Sequence, residues 1–82
     1  MQEGLLWFDA DPKRDLAEKV ARAAERYRRK FGRQPNLCYV NAHALDQGSL
    51  ELGGVRLVPA ANVLEHHFWI GEEDGPRLTG VV

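Results

Sequence analysis

DPKRDLAEKVARAAERYRRKFGRQP, residues 11–35, is the stretch whose period decides the fold, because only here do apolar residues follow a helical repeat. Leu16, Val20, Ala23, Ala24, Tyr27 and Phe31 recur at spacings of three and four, which stacks them on one face of an α-helix. Asp11 followed by Pro12 predicts the start. The Asp side chain can accept from first-turn N–H groups, and proline at the first helical position loses no bond. Gly32 predicts a left-handed stop, with Pro35 just beyond.

Outward from the helix, the runs on both sides read as strands. Gly4 to Ala10 (GLLWFDA) is short, apolar and bounded by turn residues, and Asn36 to Ala42 (NLCYVNA) is rich in β-formers. If these two strands are parallel, the helix is a crossover packed on one face of a sheet. Residues 43–49 read as a turn with room for one helical turn. In SLELGGVRLVP, Gly53-Gly54 predicts a primed hairpin whose register sets Leu52 opposite Val55, Glu51 opposite Arg56 and Leu50 opposite Leu57. His66 to Glu72 predicts another strand, Asp74-Gly75 a turn, and Arg77 to Val82 an edge strand with Glu72 near Arg77. The expected architecture is a single α/β or α+β domain over residues 1–82: two layers, with one long helix on a mixed sheet of four to six strands. Its order is β-α-β followed by a β-meander.

The chain has 82 residues, 44% apolar and 28% charged, which suits one small globular domain with a limited core. One cysteine, Cys38, excludes an internal disulfide and favours a reducing compartment. Glu3 and the brevity of the Leu5–Phe8 apolar run speak against a signal peptide or a membrane span, so a cytoplasmic location is expected. The net charge of −1 conceals an asymmetry. Residues 11–33 hold nine basic and four acidic side chains, whereas residues 34–82 hold two basic and six acidic ones. On the helix Asp15–Lys19, Glu18–Arg22 and Glu25–Arg29 are spaced as i,i+4 ion pairs. Lys19, Arg22, Arg26, Arg29 and Arg33 also form a stripe beside the apolar one. Of these, Arg22, Arg26, Arg29 and Arg33 are the candidate contacts to nucleic acid.

The stretch LEHHFWIGEED, residues 64–74, holds the remaining chemistry. On a strand, His66 would share a face with Leu64, Phe68 and Ile70, and His67 with Glu65 and Trp69, so the two rings diverge and cannot hold one metal. His66 is then expected to be buried and His67 accessible. Cys38, inside an apolar strand and five residues from His43, reads as a buried hydrophobe rather than half of a catalytic dyad. No metal or cofactor is expected, and no catalytic residue is assigned.

HHFWIGEEDGPRLTG, residues 66–80, is similar to the paired-histidine, strand, Asp-Gly, strand segment of HicA-type messenger-RNA-cleaving toxins. In that family the first part carries a catalytic histidine. The toxins place glycine-serine before the histidines and a helix after the last strand. This chain has Leu64-Glu65 at the first place and only Val81-Val82 at the second, and its β-α-β beginning also departs from theirs. The resemblance implies an alternative function, an RNA-binding protein or small ribonuclease using the basic helix and a histidine.

The principal expectation follows from the sheet. A single helix covers one face, yet alternation leaves apolar bulk on both: Leu5, Trp7 and Asp9 on one set, Leu37, Tyr39 and Asn41 on another, Glu65, His67 and Trp69 on a third. Trp7, Tyr39, His67 and Trp69 are the candidate partner-binding residues. The expected function is a non-enzymatic interaction module that forms a homodimer, or binds a macromolecular partner, through the uncovered sheet face.

Overall fold

The computed structural model describes residues 4–45 and 48–73. It shows a small α+β domain of five strands and one long helix, in the order β1 (Gly4–Phe8), α1 (Leu16–Phe31), β2 (Leu37–Asn41), a single 3-10 turn (Ala42–Ala44), β3 (Leu50–Leu52), β4 (Val55–Ala60) and β5 (His67–Gly71). The strands form one mixed sheet ordered β1-β5-β2-β4-β3. The expected segment from Arg77 to Val82 lies outside the described residues, as does the Asp74-Gly75 turn.

The helix ends where the sequence indicates but begins later. Gly32 takes φ 73° and donates its N–H to the Arg28 carbonyl at 2.8 Å. At the other end the cap is Asp15, not Asp11, and its carboxylate accepts from the Glu18 N–H at 2.9 Å. Competing acceptors hold the intervening residues out of the helix. Asp9 accepts from the Asp11 N–H at 3.0 Å, and Asp11 from the Lys13 N–H at 2.9 Å. These local side-chain bonds satisfy the backbone in a turn and delay the helix until the apolar stripe starts at Leu16.

The β-α-β expectation holds with one addition. β1 and β2 both run antiparallel to β5, so they are parallel to each other with β5 between them. A helix about 10 Å across spans two strand spacings of about 4.8 Å, which leaves room for one strand under the crossover. After β2 the chain does not simply meander: β4 pairs parallel with β2, and β5 returns to the centre. The β3–β4 hairpin has the register read from the sequence, and Gly53 and Gly54 both take positive φ.

The core lies between α1 and one face of the sheet. Val20, Ala23, Ala24 and Tyr27 meet Cys38, Val40, Val55, Leu57, Phe68 and Ile70, with Leu45 closing one side. Cys38 is fully buried, and burial pushes its thiol up to about 12. Two polar clusters fasten the periphery. Buried Asp9 accepts from the Arg14 Nε at 2.9 Å, and Glu72 accepts from the Tyr27 hydroxyl at 3.0 Å and from Arg33. Glu72 thus takes helix-side partners, while the expected approach of Arg77 lies outside the described residues. Of the three expected ion pairs along α1, Glu25–Arg29 forms, at 3.4 Å. Among the described residues no helix is long and apolar enough to cross a membrane.

Candidate functional site on the open sheet face

Register assigns each strand residue to a face. Trp7 opposes Phe68, a core residue, so Trp7 and its alternates Leu5 and Asp9 look toward the helix. Leu6, Phe8, Tyr39, Val58, His67 and Trp69 therefore lie on the other face, which no element among the described residues covers. Leu6 opposes Trp69, Trp69 opposes Tyr39, and Tyr39 opposes Val58, so four apolar or aromatic side chains form a row across four strands. Directly opposite residues on one face are close enough to pack.

β5 explains which of its faces turned outward. Phe68 and Ile70 are hydrocarbon only and are buried, whereas Trp69 and His67 carry polar atoms that need partners and remain half-buried. The His67 ring stacks obliquely on Phe8 with centroids 4.9 Å apart, and its Nδ1 lies 2.9 Å from the Glu65 carbonyl. A carbonyl can only accept, so Nδ1 donates in this contact.

A loop walls one side of this face. The Asn41 side chain donates to the Val63 carbonyl at 2.8 Å and accepts from the His43 N–H at 2.9 Å, tying the end of β2 to the segment after β4. The loop carries Val63 and Leu64 to the rim. With Leu6, Tyr39, His67 and Trp69 they line an open groove of about 600 Å³. Leu6, Phe8 and Leu64 are 57%, 59% and 70% exposed, and apolar side chains this bare on one surface mark a contact region. At the far end the charges are matched: Arg56 opposes Glu51 and pairs with Glu73 at 2.9 Å.

The candidate residues thus separate into groups. Tyr39, His67 and Trp69 share the groove. Trp7 does not, being on the helix side. Leu6, Phe8 and Leu64 were not singled out from sequence. For Leu6 and Phe8 the signal was the second alternating set in β1, ambiguous because both sets are apolar; Leu64 lies on a loop, where alternation gives no face. His66 is the clearest departure: it is exposed, with φ 66°, rather than buried beside Phe68. The Val63–Ala60 and His67–Leu64 backbone bonds make two tight turns, so the strand starts only at His67. His66 instead borders a separate recess of about 230 Å³ with Lys19, Asn41, His43 and Glu65.

On the helix, Arg22, Arg26 and Arg29 border one recess, while Arg33 is drawn away to Glu72. Among the described residues no three His, Cys, Asp or Glu side chains converge where they could hold a metal ion. Compared with protein-family models, with curated proteins and with solved structures, the chain matches none.

Proposed function

We propose that this protein is a non-enzymatic, cytoplasmic interaction module that pairs with a second copy of itself through the open sheet face. The observation that carries the reading is the continuous Leu6–Trp69–Tyr39–Val58 row, flanked by Phe8 and Leu64 and left without a second layer among the described residues. A sheet with an apolar face is stable when another layer buries it, and two such faces pack about 10 Å apart. The face also suits its own copy. Its centre is uncharged, and Arg56 at its end is already paired with Glu73 within one chain, so a two-fold contact over the centre brings no charge into the interface. The single cysteine, which allows no internal disulfide, supports a reducing compartment.

Acrylamide quenching of the indoles tests this reading. Trp69 should become more shielded as protein concentration rises through the micromolar range, while Trp7, already packed against the core, changes little. Quenching independent of concentration for both indoles would refute the pairing.

A further inference from the structure

A second surface lies where the outer edge of β1 meets α1, away from the open face. Trp7 reaches from β1 toward the helix, and Arg22, Glu25, Arg26 and Arg29 complete a recess of about 220 Å³ around it. Three guanidinium groups face one carboxylate, and that carboxylate is already held by Arg29 at 3.4 Å. Arg22 and Arg26, one helical turn apart, have no ion-pair partner among the described residues. The indole N–H of Trp7 is the buried side-chain donor left without a hydrogen-bond partner among those residues. A buried donor of this kind carries a standing cost, and its signal reports on the recess that the Trp7 ring lines.

We propose that this recess binds a phosphate group, with Arg22 and Arg26 holding its oxygens and the Trp7 indole forming one wall. The planar guanidinium fork matches phosphate oxygens, and arginine keeps its charge at every relevant pH. Charge distribution favours the same place. Residues 34–82 carry six acidic against two basic side chains, so attraction for an anion is concentrated on the helix. The structure also narrows the arginine stripe: Arg33 is held by Glu72, while Trp7 from the sheet adds the aromatic surface that the helix lacks. The phosphodiester of a single-stranded RNA and the phosphate of a small molecule share this chemistry. Neither depends on the self-pairing proposed above, because the recess and the open face use different residues.

A nitrogen–proton correlation spectrum contains two indole signals, Trp7 and Trp69, which a Trp7→Phe variant assigns. Titration with a short oligouridine RNA, and separately with inorganic phosphate, should move the Trp7 signal saturably and leave Trp69 in place. The double variant Arg22→Gln, Arg26→Gln keeps helix-forming side chains at exposed positions, and should weaken binding at least about tenfold. Arg28→Gln, outside the recess, should retain the affinity within about twofold. Tighter binding of RNA, with a salt slope that falls by about 1.4 in the double variant, assigns the site to a strand. Equal or tighter binding of inorganic phosphate assigns it to a small phosphorylated ligand. The proposal fails if neither probe shifts the Trp7 signal, or if Arg28→Gln loses as much affinity as the double variant.

Discussion

At the scale of single residues, two of the carboxylates that fasten the domain have a pH signature. The Arg14 guanidinium beside Asp9 holds that carboxyl below its ordinary range, and Arg33, with the Tyr27 hydroxyl, does the same for Glu72. A carboxyl whose folded pKa is depressed contributes stability that is present above the unfolded pKa and is lost as pH falls through the folded one. Urea midpoints should therefore fall as pH drops below about 4, and Asp9→Asn should lose less than the parent over that interval. Parallel losses in the two proteins would remove Asp9 from the account. Cys38 has the opposite sign, since burial raises its thiol to about 12. Its contribution is complete below the unfolded value and is lost as pH rises toward the folded one. Native protein should accordingly react with a thiol reagent far more slowly than urea-unfolded protein, and equal rates would contradict its burial. The buried character of Cys38 was legible from its apolar strand. That of His66 was misread, because alternation was extended one residue beyond the point where the backbone turns at φ 66°.

At the scale of elements, the parts that read correctly are those whose signals are local. The hairpin pairs as its Gly-Gly turn and its matched apolar and charged partners imply. A Cβ at Gly54 would meet nothing within 4 Å, so only the φ of 83° opposes a side chain there. Gly54→Val should then cost about 1–2 kcal/mol in chemical unfolding, the penalty for a branched side chain in the left-handed region. An unchanged midpoint would mean that the turn lies elsewhere. The stripe from Leu16 to Phe31 and the Gly32 stop were equally legible. The helix start was not, since Asp11-Pro12 and Asp15 are both good caps and the choice depends on Asp9, which recruits Arg14 and the Asp11 N–H. Nor was the central place of β5. Its pairing with both β1 and β2 is long-range, and no turn residue encodes it.

At the scale of the whole molecule, one helix serves a five-stranded sheet, and the consequence is an apolar face without a second layer among the described residues. Alternation showed that both faces carry apolar bulk. It could not say which one the helix takes, because Leu5 and Trp7 are as apolar as Leu6 and Phe8. The register decides, and it moves Trp7 from the candidate contact surface into the edge of the core. Substituting Trp7 with a charged residue would thus unfold the domain, and tests of association belong to Phe8. The most direct measurement is the solution mass by light scattering at micromolar concentration for the parent, Phe8→Asp and Leu50→Asp. Leu50 is also exposed, at 44%, but it opposes core residue Leu57 on the helix side of the sheet, so it controls for loss of any exposed apolar side chain. The account predicts twice the monomer mass for the parent and for Leu50→Asp, and the monomer mass for folded Phe8→Asp. A monomeric parent at every concentration, or a Phe8→Asp protein that remains dimeric, would contradict it.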